Sequence, residues 1–334
     1  MMNFLQCVFL IPFFLNLPAV PHYSDIDSDG LDDQFEQRVL ERFVPTWLLS
    51  AKECDGLPAE FQPDNQAPQL LAKNGTIYGQ VFPKDLSGRS GIYIEAHYYH
   101  LWNRDCGLNG HALDVEHVSV LLSAEAIKDP ISEWKSEYWY AAAHEDTACD
   151  AGHAAKSSSL NAERQGPTVW ISAGKHASYL DKSLCGGGCG GDDCSEMRPV
   201  ETSKIINLGE PGAPINGVSW TQWSGWSLAA KMEPDFSETA LAKLDAADQT
   251  EMIPVNSSRS SVKITVLVGT SSAEAMIDTN NKTSAALSSA SSAVGTSLNK
   301  SKDSTGNFLI RAARGVWKAL AGGNDVNPNK EEPR

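Results

Sequence analysis

Between Gly110 and His117 the chain reads GHALDVEH, which sets two histidines and two carboxylates into an apolar, β-branched run that continues as VSVLL. Buried charge is costly without a partner, so four ionisable groups in such a segment point to something bound there. Side chains alternate along a strand, so Asp114 and Glu116 share one face, His117 takes the other, and His111 stands at the strand entrance. Two adjacent carboxylates repel each other unless a cation or a proton lies between them. The chemistry these residues suit is metal binding, with His111, Asp114 and Glu116 as candidate ligands.

Other polar groups gather around this segment. Seven of the eight histidines (His97, His100, His111, His117, His144, His153 and His176) fall in one central block, which favours a shared site over scattered structural roles. Taken singly, each is more often a half-buried histidine satisfied by backbone carbonyls. His144 opens HEDTACD beside Glu145, Asp146 and Asp150, and His176 sits in GKHASY at the end of an apolar strand. If a bound cation lowers the pKa of a water, His117, His144 and His176 are the candidate general acids and bases. Nucleophilic chemistry has little support. There is no GxSxG elbow, and Ser172 or Ser178 near His176 is a weak signal. In SWTQWSGWSL, Trp220, Trp223 and Trp226 recur every third residue, a pattern open to a glycan platform but more ordinarily core or edge packing.

A second constellation lies near the N-terminus. Asp25, Asp27, Asp29, Gly30, Asp33 and Glu36 match the diagnostic positions of a calcium loop. Asp25, Asp27, Asp29 and Asp33 would supply side-chain oxygens, Leu31 its carbonyl, Gly30 the sharp turn and Glu36 the closing carboxylate. FEQRVLERF continues as an exit helix with Phe35, Val39, Leu40 and Phe43 on one stripe, and no entering helix precedes the loop. A solvated acidic turn is the plainer alternative. The expected role is a structural staple.

The elements that must position these groups are mostly short strands. TIYGQVF, GIYIEAHYYHLW, DVEHVSVLLS, YWYAAAH and PTVWISAG are punctuated by Gly, Pro, Asn and Asp, the pattern of an antiparallel β-sandwich with short helices. The chain divides into a signal peptide (1–19), the calcium loop with its helix (20–50), a sandwich core (51–235), a helix-and-strand extension (236–270), a Ser/Ala-rich flexible linker (271–304) and a C-terminal amphipathic helix and tail (305–334). In the extension, 237–253 reads as helix and VKITVLV as a strand.

The 334 residues, 41 % of them hydrophobic, suffice for a large core, and the net charge of −15 excludes the clustered cations that a nucleic-acid partner demands. The apolar opening MMNFLQCVFLIPFFLNLPA is short for a span and resembles an export signal, so the expectation is a secreted protein with no transmembrane segment after cleavage. Its removal takes Cys7 and leaves Cys54, Cys106, Cys149, Cys185, Cys189 and Cys194, an even set suited to three disulfides in any of fifteen pairings. Sequons stand at Asn74, Asn256, Asn281 and Asn299. The terminal NFLIRAARGVWKALAG has a helical stripe with Arg311, Arg314 and Lys318 interleaved, fit to pack on its own domain or to lie on a membrane surface.

Gly110, His111, Asp114 and Glu116 match four of seven positions of the GHRHDWE heptapeptide of the necrosis- and ethylene-inducing-like proteins, and YYHLWNRD resembles that family's YSWYFPKD. VEHVSVLL, PTVWISAGKHASYL and the DSDGLDDQFEQRVLERFVP opening are similar to the vacuolar-protein-sorting-associated (number sixty-two) type proteins. The resemblance spans roughly residues 25 to 226. It implies a secreted β-sandwich and adds Asp105 to His111, Asp114 and Glu116 as holders of a divalent cation (calcium or magnesium, with zinc the softer choice). In the first family that cation supports sphingolipid head-group binding and membrane damage; the second brings no settled activity. Leu113 and Val115 replace the heptapeptide's second His and its Trp, which weakens the expectation of cytolysis more than that of metal binding. Three readings follow: a cation-dependent binder of membrane head groups or glycans, a metal-dependent hydrolase, and a structural or sorting-associated protein without catalysis.

Overall fold

The computed structural model describes residues 24–107, 110–145, 150–186, 192–226, 228–247, 252–256 and 265–266. The expected signal peptide, Ser/Ala-rich linker and C-terminal helix lie outside these residues, as do Cys149, Cys189, Asn281 and Asn299.

The acidic loop feeds the helix α1 (Asp33–Phe43), which starts where the Asp32 side chain accepts a hydrogen bond from the Phe35 backbone N–H at 3.0 Å. Acidic residues in its first turn suit the helix dipole, and the helix stops before Val44-Pro45, where the proline disfavours further helical backbone. Its buried stripe of Phe35, Val39, Leu40 and Phe43 joins the main core, each fully buried side chain contributing roughly 2 kcal/mol. Leu40 seats on Gly79, where a Cβ would lie 2.6 Å from both leucine methyls, so only glycine lets the helix approach this closely.

The strands follow in order: β1 (Thr46–Ser50), β2 (Ala59–Phe61), β3 (Leu70–Lys73), β4 (Ile77–Lys84), β5 (Ile92–Arg104), β6 (Ala112–Ala124), β7 (Lys135–Ala141), β8 (His153–Lys156), β9 (Thr168–Ile171) and β10 (Ser178–Tyr179). After the short helix α2 (Lys182–Gly186) come β11 (Met197–Val200), β12 (Ile205–Asn207), β13 (Gly209–Glu210) and β14 (Ala213–Pro214). Helices α3 (Leu228–Lys231) and α4 (Glu238–Ala246) then precede β15 (Ile253–Asn256) and β16 (Thr265–Val266). The large sheet runs β12-β4-β5-β6-β7-β8-β15-β16 and the small one β10-β9-β1-β11. Among the described residues the protein is mainly β, with a few short helices and no closed barrel.

Pairing is not purely antiparallel, a correction to the sequence expectation: β1 runs parallel to β9, and β12 parallel to β4. Both pairs join segments more than a hundred residues apart, so turn chemistry does not dictate their direction. The α4 helix is shorter than the expected 237–253; of VKITVLV, Thr265–Val266 is strand and the other residues lie outside the described ones. β15 pairs with β8 at the end of the large sheet.

The centre of the fold is the hairpin of β5 and β6, in register as His97↔Ser119, Tyr99↔His117, His100↔Glu116 and Trp102↔Asp114. One face (Ile94, Ala96, Tyr98, Trp102, Val118, Val120) shares a core with Trp47, Leu49, Val169 and Ile171 of the small sheet. The opposite face is covered by later chain: Tyr99, Leu101 and Val115 pack with Trp220, Trp226 and Leu228, and Leu121 packs with Phe236 and Leu241. Trp220 and Trp226 therefore serve packing, edge-to-face at 5.4 Å, and Trp223 alone of the three is exposed. Disulfides join Cys54 to Cys106 and Cys185 to Cys194.

Candidate functional site

The end of the β5–β6 hairpin carries the heptapeptide-like residues. Gly110 lets the returning chain cross the turn, since a Cβ there would lie 2.4 Å from the Asp105 carbonyl oxygen. Asp105 Oδ1 accepts from the Gly107 N–H at 2.6 Å, and its Oδ2 lies 3.0 Å from Lys175 Nζ and 3.7 Å from His111 Nε2. The His111 side chain is more than half exposed, whereas those of Asp105, Asp114 and Glu116 are largely covered. Asp114 Oδ2 sits 2.8 Å from His176 Nδ1, and His176 Nε2 lies 3.3 Å from Glu53 Oε1. Glu116 Oε2 lies 3.2 Å from Lys231 Nζ, which also stands 3.5 Å from Glu145 Oε2.

The charges follow from these pairings. Burial pulls His176 down, but the hydrogen bonds and charges of Asp114 and Glu53 outweigh it and lift its pKa to about 9, so the ring is an imidazolium at neutral pH. Burial alone would raise Asp114, yet His176 holds it down at about 2. Burial pushes Glu116 up to about 7, with Lys231 opposing and Asp114 adding to the rise.

The expected ligands are thus only partly assembled. Asp105 and His111 meet, and Asp114 and Glu116 lie on one strand as the alternation predicts, but the four do not form a mutual set of ligand atoms within 4.8 Å among the described residues. Asp114 and Glu116 each use one oxygen for a partner from another element and keep the second outside those pairs. A cation at this end would take those second oxygens or compete with Lys175 and Lys231.

The three candidate acid–base histidines go to different carboxylates. His176 is held between Asp114 and Glu53. His144 Nε2 lies 2.7 Å from Asp192, which also accepts from Ser172 and Tyr179 hydroxyls, and His117 Nε2 lies 3.2 Å from Asp235. Two more histidines are satisfied core residues: His100 accepts from the Trp102 indole and meets Ser178, and His153 accepts from the Leu180 N–H and lies 3.0 Å from the Ala151 carbonyl. Glu53, Lys175 and Lys231 were not singled out from sequence. Glu53 and Lys175 reach the site from remote loops and Lys231 from the end of α3, and no local spacing marks them.

The N-terminal loop is the tighter acidic constellation. Its backbone is tied by Asp25 accepting from the Asp29 and Gly30 N–H groups at 3.2 Å, and by Asp29 Oδ1 accepting from Leu31 N–H at 2.7 Å. Asp33 Oδ1 accepts from the Ile26 N–H, and Glu36 Oε2 from the Asn207 amide at 2.8 Å. Both Asp27 oxygens, Asp29 Oδ2 and Glu36 Oε1 remain buried without a hydrogen-bond partner. Ligand atoms of Asp25, Asp27 and Asp29 lie within 4.8 Å of one another, as do those of Asp27, Asp33 and Glu36. Burial followed by neighbouring carboxylates lifts Asp27 to about 6 and Glu36 to about 9. Orphaned oxygens converging in this number fit a hard cation.

No family model matches the chain, and no curated protein sequence does. Among solved structures, one described as a toxin fold for microbial attack and plant defense is 17 % identical, covering 52 % of this chain and 74 % of its own, with a TM-score of 0.29. NLPPya in complex with glucosamine is 16 % identical over 60 % of this chain and 82 % of its own, at 0.31. The non-toxic HaNLP3 protein is 12 % identical over 64 % and 92 %, at 0.32. Likenesses this distant carry no argument about this chain's site.

Proposed function

We propose that this chain is a secreted, divalent-cation-dependent protein that binds hydroxylated lipid head groups or glycans at the end of the β5–β6 hairpin and damages membranes there. The observation that carries this reading is the placement of Asp114 and Glu116: side by side on one strand, held from behind by His176 and Lys231, next to the exposed His111. Asp105, His111, Asp114 and Glu116 would hold the cation, and the cation would supply a Lewis-acidic contact for ligand hydroxyls. The protein's own part is to fix the carboxylate orientations and to keep Lys175 and Lys231 nearby as counter-charge. Calcium in the N-terminal loop, on Asp25, Asp27, Asp29, Leu31, Asp33 and Glu36, would staple α1 to the sheet. The leader and the disulfides support export. The GHxxDxE pattern supports likeness to the necrosis- and ethylene-inducing-like proteins, whereas likeness to the sorting-associated group adds no activity.

Binding is preferred to hydrolysis because His117, His144 and His176 are each engaged with a separate carboxylate rather than gathered around one reacting point. The test is dye leakage from, and sedimentation with, sphingolipid-containing vesicles. Chelator and Asp114→Asn should each abolish both. Unchanged binding in Asp114→Asn would end the proposal.

A further inference from the structure

On the face of β5 and β6 away from the small sheet, two imidazoles lie stacked: His97 and His117, with ring centroids 5.4 Å apart and planes 10° apart. Both are buried, and both turn Nε2 toward Asp235 Oδ2, at 3.6 Å and 3.2 Å. The three ligand atoms lie within 4.8 Å of one another. Ligands about 2.0–2.1 Å from a tetrahedral ion stand about 3.3 Å apart, a value that the two observed N···O distances lie either side of.

The hydrogen-bonding around His97 tells which nitrogen carries its proton. Tyr99 Oη lies 3.0 Å from the Lys231 carbonyl oxygen, 3.1 Å from Gln80 Oε1 and 3.1 Å from His97 Nδ1. A phenol has one proton, and the two carbonyl-type oxygens only accept. Nδ1–H of His97 therefore donates to Tyr99, and Nε2 keeps its lone pair unless a second proton or a cation takes it. That lone pair faces Glu95 Oε1 at 2.8 Å as well as Asp235. Electron density against carboxylate oxygen is repulsive unless a cation or an added proton intervenes. His117 turns its Nδ1 the other way, toward Glu145 Oε2 at 3.6 Å, and so presents Nε2 to Asp235.

The surroundings hold these groups in place. Ser119 Oγ donates to Asp235 Oδ2 at 2.5 Å. Glu95 is anchored by Lys84 and by the backbone N–H groups of Asp235 and Phe236, which fixes the carboxylate oxygen that meets His97 Nε2 beside Asp235, while Tyr99 holds the ring from its other nitrogen.

We infer that His97 Nε2, His117 Nε2 and Asp235 Oδ2 form a binding site for a divalent transition-metal ion, zinc by ligand type, separate from the acidic N-terminal loop and from the hairpin end. Two imidazoles and one carboxylate are a borderline-soft set that prefers zinc over calcium or magnesium. Asp235 lies between α3 and α4, so the ion ties this late segment onto the middle of the large sheet. Three protein ligands leave a position for water.

The test uses the full chain with excess calcium present, so that oxygen-only sites are filled. Zinc retained after desalting is measured by elemental analysis, and cobalt is substituted to read the visible ligand-field band. The expectation is a nitrogen-containing cobalt spectrum and retained zinc, both lost in Asp235→Asn and in His97→Gln while circular dichroism stays native. Asp114→Asn should leave both intact. Zinc that survives Asp235→Asn and His97→Gln overturns the assignment, as does zinc lost only in Asp114→Asn. A folded wild-type chain that binds no zinc overturns it as well.

Discussion

The indole of Trp102 lies flat on the imidazole of His176, with ring centroids 3.9 Å apart and 7° between the planes. Trp102 in turn donates its Nε1–H to His100 Nδ1 at 2.8 Å, and His100 meets the Ser178 hydroxyl at 2.7 Å. A protonated His176 beneath an aromatic face gains cation–π attraction in addition to its two carboxylates. The rotamer of Asp114 thus rests on a stack of rings in the core. Trp102→Leu should cost about 3 kcal/mol in denaturant unfolding and weaken vesicle binding beyond what that loss explains. Binding that tracks the folded fraction alone would show that the stack does not position the site.

Acid should undermine the fold through His153. Burial holds this histidine near pKa 4, against 6.5 for an exposed one. Its folded pKa is depressed, so its contribution is full above 6.5 and is lost as pH falls toward about 4, where the unfolded chain binds the proton first. That window carries roughly 3 kcal/mol. His100 is pushed the same way by burial. His153→Gln should lower the Tm at pH 7 yet show a smaller further fall between pH 7 and 4.5 than the wild type. Parallel Tm–pH curves would refute this.

Calcium should matter most through Asp27, whose two oxygens are buried and unpartnered. Saturating ion at a hundredfold over its Kd adds about 3 kcal/mol. Asp27→Asn keeps an oxygen donor but removes one ligand charge, which weakens both the hold on the ion and the repulsion among carboxylates. The variant should therefore be less stable than wild type in calcium and at least as stable in chelator. Calorimetry in the two buffers checks the crossover, and a variant weaker in both would contradict it.

Lys231 balances Glu116 and Glu145 from within the fold. Lys231→Met leaves two covered carboxylates without their cation and should cost about 3–5 kcal/mol. Adding Glu116→Gln should recover part of that cost. Strict additivity in the double-mutant cycle would mean that the pair is not coupled.

Much of the frame is legible in sequence because its determinants are local. The alternation in GIYIEAHYYHLW and DVEHVSVLL specifies β5 and β6, and it places Asp114 with Glu116 and opposite His117. The FEQRVLERF stripe likewise gives α1. The partners are another matter: His176 reaches Asp114 across 62 residues, Lys231 reaches Glu116 across 115 and Asp235 reaches His117 across 118. Such meetings depend on how sheets and late helices stack, which no spacing records. The same holds for the parallel β1–β9 pair, and for which strands Trp220 and Trp226 pack against, although packing itself is the ordinary reading of their spacing.

The bond from Asn207 to Glu36 spans 171 residues. A chain made from its N-terminus displays the acidic loop early, but the strand that shelters its last carboxylate emerges only after most of the sheet has been synthesised. Most of the loop's ties are local, but this one cannot form before residue 207 has emerged. The loop's last carboxylate is latched only when Asn207 arrives.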